Sequence, residues 1–274
     1  MAPIKNIGPI PQIGYGTWKR FGEDAYNCVR WAIDAGYRHI DTAEAYGNEA
    51  DVGRAIAECG IPRNEIFIAT KVAPENLGPG QVMPHAMASL EKLRVDHVDL
   101  LLVHWPSVND RYDMKDYLAQ FAAVQDAGLA THIGVSNFTR KHIDAARGIL
   151  GTRSIATNQC EIHVLLQNRI IVDHCKAAGI PMTAYSPLAR GAVLDIPELK
   201  QIATRHGTSA EIIALAFLLT EGHIVIPTSS NKTRIATNLA ATDISLTLED
   251  MALIRTLDKG QRLVSGGWAP VWDS

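Results

Sequence analysis

Three apolar runs of the chain end on residues that a packed core would not choose. RHIDTA delivers Asp41, FIATKV delivers Lys71 and LLLVHW delivers His104. The segment after Asp41 reads T-A-E-A-Y-G-N-E, which brings Tyr46 within reach of the same place. A bare charge at the end of an apolar run is costly, and pairing resolves it. Asp41 can hold Lys71 charged. Lys71 beside the phenol favours tyrosinate, and so lowers the barrier for Tyr46 to release its proton. His104 can share that proton or orient the oxygen that receives it. The four groups form a device for delivering a proton to a substrate oxygen, and they include no serine or cysteine nucleophile. Each has a plainer reading alone: a buried Asp–Lys pair is commonly structural, and a lone histidine is commonly a satisfied hydrogen-bonder. Convergence of all four on one place favours chemistry.

Convergence requires that the apolar runs be neighbouring parallel strands. Strand candidates cover residues 13–17, 37–42, 67–72, 98–104, 131–136, 155–161, 182–185 and 224–227. VDLLLVHW and HIVIP are apolar on both faces, as in a parallel sheet covered by helices. Helix candidates cover 25–35, 48–59, 80–93, 114–127, 140–150, 168–178, 210–220 and 249–257, and glycine follows several of them (Gly36, Gly60, Gly128, Gly179, Gly222). Eight strands, each followed by a helix, predict an α/β fold of the (β/α)8 TIM-barrel kind, with one domain over residues 1–274. No strand is followed by the G-x-G-x-x-G turn of an open dinucleotide-binding sheet. In a barrel the chemistry sits where strands run into their following loops, which is where these four groups fall.

Composition narrows the partners. A hydrophobic fraction of 47% and a charged fraction of 20% are those of a globular domain. With 26 basic and 29 acidic residues interspersed, the net charge is −3, which favours neither nucleic acid nor an anionic membrane as partner. Residues 1–12 hold three prolines and no apolar run that could act as a signal peptide. No stretch approaches the roughly 20 apolar residues of a membrane span. Cys28, Cys59, Cys160 and Cys175 lie far apart, as reduced thiols of a cytoplasmic protein would.

The motifs D-T-A-x-x-Y-G-N-E, A-T-K, V-H-W-P, G-V-S-N-F and N-Q-C-E together resemble the aldo-keto reductase superfamily, in order and spacing, from Ile13 nearly to the C-terminus. LEKLRVDHVDLLLVHWPSVND, IATNQCEIHVLLQNR and RLVSGGWAPVWD look like its bacterial branch acting on 2,5-diketo-D-gluconate and methylglyoxal. The resemblance implies reduction of small polar aldehydes and ketones by hydride transfer from NADPH. Tyr46 would be proton donor within the tetrad Asp41, Tyr46, Lys71 and His104. Gly16, Thr17, Trp18 and Asp41 would lie at the nicotinamide, with Ser136, Asn137 and Gln159 on its carboxamide and Tyr185 against its ring. Ser186, Pro187, Leu188, Arg190 and Gly191 would run beside the pyrophosphate. Ser229, Arg234 and Asn238 would hold the 2′-phosphate and adenine. Thr228 stands where many members carry Lys or Arg, so NADH is expected as a weaker alternative. The tail 259–274 would cover the mouth, and Trp18, Tyr46, His104, Trp105, Trp268 and Trp272 would wall the substrate pocket. No metal is implied, and the protein is expected to be a monomer. The short segment before the first strand implies a reduced hairpin at the barrel floor.

Other readings stay open at this point. Lys232 and Arg234 in a first helical turn oppose the helix dipole, which a bound phosphate would explain and a solvated basic turn would equally allow. Arg111 could meet a substrate carboxylate or simply be a solvated loop residue. Lys71 could form a Schiff base if it were neutral, which Asp41 opposes. His39, Asp41 and His104 could hold a metal, although no H-x-H pair is present and His39 is expected to point into a loop or helix contact. A redox-sensing subunit with the same fold is opposed only by the intact tetrad.

Overall fold

The computed structural model describes residues 4–273; residues 1–3 and Ser274 of the expected 1–274 domain lie outside them. A hairpin of β1 (Asn6–Ile7) and β2 (Ile10–Pro11) comes first, its strands two residues long. The strands that follow are β3 (Tyr15–Gly16), β4 (His39–Asp41), β5 (Phe67–Val72), β6 (Val98–Val103), β7 (Ala130–Ser136), β8 (Asn158–Glu161), β9 (Met182–Tyr185) and β10 (Ile224–Val225). Each pairs in parallel with the next. The ring closes where Ile13 pairs with Val225: Gly14 N–H donates to Val225 O at 2.8 Å and Gly16 N–H to Pro227 O at 3.1 Å. The chain is a closed (β/α)8 barrel. Its seam is short, with β10 ending two residues before Pro227, which has no N–H to donate. At Gly16 a Cβ would stand 2.9 Å from Ile226 O, so glycine permits this close approach.

The helices are α1 (Gly22–Ala35), α2 (Glu49–Ala57), α3 (Val82–Leu93), α4 (Met114–Asp126), α5 (Arg140–Leu150), α6 (Arg169–Ala177), α7 (Pro197–Arg205), α8 (Ala210–Thr220), α9 (Lys232–Asn238) and α10 (Leu248–Arg255). Their apolar faces bury against the outward-facing residues of the strands, such as Ile40, Ile68, Leu101 and Val103. α7 is an addition to the sequence-based set: the crossover from β9 to β10 holds two helices, and α7 buries Leu199, Ile202 and Ala203. Among the described residues no helix is long and apolar enough to cross a membrane.

The inner face of the barrel positions the site. Side chains alternate with period two along a strand, so Phe67, Ala69 and Lys71 of β5 share one face. Phe67 and Ala69 pack with Ile10, Leu100, Leu102 and Ile224 in an inner layer at the floor. Lys71 is the next inward position above them. The same count places Asp41 above His39, and His104 above Leu100 and Leu102. His39 therefore lies inside the barrel, contrary to the loop or helix contact expected from the sequence. It is buried with its ring edge-on to Phe67 at 5.2 Å and its Nδ1 3.3 Å from Pro11 O.

Candidate active site

Lys71 is the centre of the constellation, with no exposed surface. Its Nζ donates to Asp41 Oδ1 at 2.6 Å and to Thr42 O at 2.7 Å, and approaches Tyr46 Oη at 3.4 Å. Tyr46 comes from a 3-10 turn after β4 (Glu44–Tyr46), and its ring meets His104 edge-on at 5.6 Å. The second oxygen of Asp41 accepts from Gln159 Nε2 at 2.8 Å, so the buried carboxylate is held on both sides.

The charges follow from these contacts. Burial alone would lower the Lys71 pKa; the charges of Asp41 and Tyr46 outweigh it, and the ammonium sits above its usual value. A neutral Schiff-base lysine is thus disfavoured here. Burial raises the Tyr46 phenol above its ordinary value, while Lys71 pulls it back. Burial, assisted by the charge of Lys71, pushes His104 down to about 3, so the imidazole is neutral at physiological pH. Its Nδ1 is buried without a hydrogen-bond partner.

Above these groups opens a cavity of about 590 Å³. Gly16, Trp18, Asp41, Ser136, Asn137, Gln159 and Tyr185 line it on one side, followed by Ser186, Pro187, Leu188, Arg190 and Gly191. Ser229, Arg234 and Asn238 line its far end, and Tyr46, His104, Trp105 and Trp268 its mouth. Two expected residues do not line it. Thr17 is wholly buried, its Oγ1 unpartnered. Trp272 stands behind Trp105 at 6.1 Å, covered by the Arg262 guanidinium at 3.7 Å and bonded to Ser265. Arg111 lies over Tyr112 and is also outside the lining.

The wall carrying Ser136 and Asn137 is internally bonded. Ser136 Oγ donates to Gln159 O at 2.7 Å, Asn137 Nδ2 donates to His104 O at 3.1 Å, and Tyr185 OH donates to Asn137 Oδ1 at 2.9 Å. Asn137 and Ser186 both hold left-handed backbone, φ 62° and 50°. At the far end Asn231 caps α9 by accepting from Arg234 N–H at 3.0 Å. The two cations of that turn part company: Arg234 lines the cavity, whereas Lys232 lies 5.9 Å over the Trp31 ring.

The sequence did not reveal what fastens the tail. Glu161, the inward position above Gln159 on β8, is buried and accepts from Leu263 N–H at 2.8 Å, Val264 N–H at 2.9 Å and His163 Nε2. Beyond this anchor Trp268 packs on Trp105 at 4.4 Å, and Asp273 accepts from Arg140 N–H at 2.9 Å. A buried carboxylate needing partners was the available signal. Among the described residues no group of His, Cys, Asp and Glu is arranged to hold a metal ion; His39 sits at the floor, below Asp41.

Comparison with known proteins agrees with this architecture. The model of the aldo/keto reductase family matches residues 12–259. A methylglyoxal reductase DkgB of Yersinia pestis is 43% identical over 265 residues, covering 96% of this chain and 99% of that protein. An aldo-keto reductase of Mycolicibacterium smegmatis is 40% identical over 254 residues, covering 93% and 92%. One solved structure, of a candidate 2,5-diketo-D-gluconic acid reductase B, superposes with a TM-score of 0.92 at 38% identity, covering 97% of this chain and 94% of that one. Matched along nearly its whole length by family, sequence and shape alike, the chain belongs to the aldo/keto reductase family and is an oxidoreductase.

Proposed function

We propose that the protein reduces small polar aldehydes and ketones to alcohols with NADPH, and that Tyr46 supplies the proton. The observation that carries this reading is Lys71 Nζ, buried between Asp41 Oδ1 at 2.6 Å and Tyr46 Oη at 3.4 Å. A fixed cation there stabilises the tyrosinate left when the phenol gives up its proton. Asp41 keeps that lysine charged against the effect of burial. His104, neutral at physiological pH, has no proton of suitable acidity to give. Its ring proton belongs on Nε2, because a bare lone pair on the buried Nδ1 costs less than an unpaired N–H. Nε2–H then orients the carbonyl oxygen toward Tyr46.

The groove suits a dinucleotide in its donor chemistry. NADPH, when bound, supplies the hydride that reaches the carbonyl carbon. Gln159 gives its amide N–H to Asp41, so Oε1 is left to accept from the carboxamide, beside Ser136, Asn137 and the Tyr185 ring. Ser186 and Arg190, which line the next stretch of the groove, bring a hydroxyl and a cation to the pyrophosphate. Ser229, Arg234 and Asn238 take the adenosine end. Thr228 brings no charge, so Arg234 reads the 2′-phosphate and NADH serves as a weaker alternative. Four unpaired cysteines suit a reducing cytoplasm, where the protein would act as a monomer.

The test is turnover. Methylglyoxal, 2,5-diketogluconate and an aromatic aldehyde are compared by kcat/KM with NADPH and with NADH. We expect oxidation of NADPH with at least one of the small polar carbonyls, faster than with NADH. No turnover of any carbonyl with either cofactor would return the protein to a sensing role.

A further inference from the structure

Glu44 lies two residues before Tyr46 in the same short turn, and the reading above gives it no task. Its side chain is nearly buried, at 9% exposed. Oε1 accepts from Ala73 N–H at 2.5 Å and from Asn76 Nδ2 at 2.9 Å, and Oε2 faces His85 Nδ1 of α3 at 2.7 Å. Ala73 lies two residues beyond Lys71, just past the end of β5. One carboxylate therefore ties the turn that carries the phenol to the loop that follows the lysine, and both to a helix behind them.

Asn48, just beyond the turn, accepts from Thr42 Oγ1 at 3.0 Å and donates to Thr17 O and Arg20 O, which holds the far end toward the loop after β3. Glu44 holds the near end toward β5 and α3. The main chain of the turn contributes Tyr46 N–H to Ala43 O and Gly47 N–H to Glu44 O, and both bonds are internal to it. Ala45 and Gly47, on either side of Tyr46, offer no side chain long enough to anchor it. The contact from Lys71 Nζ to Tyr46 Oη, at 3.4 Å, is at the long end of hydrogen-bonding distance. A small drift of the turn would lose it.

We propose that Glu44 is a positioning residue: its hydrogen bonds set the distance from the Tyr46 phenol to Lys71, and with it the acidity of the phenol. This rests on Tyr46 being the acid. A simpler role, shaping only the loop at residues 73–76, makes a different prediction. If Glu44 shapes only the loop, its loss leaves the titration of Tyr46 in place. If it positions the phenol, its loss lets Tyr46 move away from the cation, and the phenol then titrates at higher pH.

The pH–rate profile separates the two roles. Wild type, Glu44→Ala, Glu44→Gln and Tyr46→Phe are compared by kcat across pH, by NADPH affinity and by melting temperature. In Glu44→Ala we expect kcat to fall about tenfold or more, as for other small misplacements of a reacting group. We also expect the basic limb of its profile to move to higher pH, with NADPH affinity unchanged. Glu44→Gln keeps a carbonyl acceptor for Ala73 and Asn76 and offers an amide N–H to His85, so it should restore most of kcat and return the limb. A basic limb that stays in place in Glu44→Ala, with or without a lower melting temperature, overturns the proposal and leaves Glu44 a loop tether. Should Tyr46→Phe keep its activity, the acid assignment fails instead and takes the positioning role with it, so the two failures are told apart.

Discussion

Gln159 reaches from β8 across the barrel axis and donates to Asp41 Oδ2 at 2.8 Å, while Oδ1 of the same carboxylate accepts from Lys71 at 2.6 Å. The wall proposed to face the cofactor and the groups proposed to deliver the proton thus share one buried carboxylate. Removing either partner of the ion pair strands the other in a dry environment, at a cost of about 3–5 kcal/mol. Lys71→Met and Asp41→Leu should each lower the urea midpoint and abolish turnover. The double variant should regain much of the stability and none of the activity, because an apolar pair is tolerated where half an ion pair is not. Unchanged stability in Lys71→Met would mean that the pair does not form. Lys71→Arg is no conservative control, since a planar guanidinium demands a different geometry.

Cofactor choice should depend on one cation of the α9 turn. Lys232 is over Trp31 and away from the groove, whereas Arg234 lines it. Arg234→Ala should weaken NADPH binding about tenfold, the low end for a charge-assisted contact because the side chain is exposed. Binding of NADH should change little, and Lys232→Ala should affect neither cofactor. The preference of wild type for NADPH should also shrink as salt rises. Fluorescence titration of both cofactors into wild type and the two variants gives the six constants; equal losses for NADPH and NADH in Arg234→Ala would show that the side chain stacks on adenine and does not read the phosphate.

Much of this arrangement follows from strand periodicity alone. Phe67, Ala69 and Lys71 alternate with outward residues, so an eight-strand barrel must bring Lys71 to the mouth, and Asp41 and His104 follow by the same count. His39 obeys the rule too: within the strand candidate 37–42 it lies two residues from Asp41 on the same face, which is incompatible with the loop or helix contact expected of it. α7 escaped notice because one helix per crossover satisfied the fold and residues 197–205 bury only three apolar side chains. Glu161 holds Leu263, 102 residues on, and Glu44 holds Ala73 and His85. Contacts of that kind leave no periodic trace along the chain. Trp272 looked like a pocket wall by its type, yet Arg262 draws it behind Trp105.

Acid should destabilise the fold well before its carboxylates titrate. Burial, with Lys71 assisting, holds His104 at about 3, and burial holds His223 at about 4. His39 and His142 are lowered by burial in the same sense. In the unfolded chain histidine titrates near 6.5, so below that pH the unfolded state takes up protons that the native state refuses. Stability is therefore full above about pH 6.5 and falls with acidification, with His104 and His223 each contributing about 1.4 kcal/mol per pH unit until their folded values are reached. Glu221, where burial is outweighed by Arg255 and Arg169, extends the loss into the carboxylate range. Glu49, raised by burial, opposes it there. Urea midpoints taken between about pH 7 and pH 5 should decline steadily, and His223→Asn should flatten the slope. A midpoint that is constant or rises over this interval would contradict the assigned neutrality of these histidines.

Whether Tyr46 gives the proton is decided by Tyr46→Phe. The substitution removes one oxygen and leaves the ring against His104, so the groove and its cofactor contacts should persist. General acid catalysis is worth about 10²–10⁴-fold. We predict a loss of that size in kcat for carbonyl reduction, with the Kd for NADPH unchanged from wild type. A variant that keeps more than about a tenth of wild-type kcat would contradict that role for Tyr46, because a loss smaller than the usual contribution of a general acid would place the proton donor elsewhere.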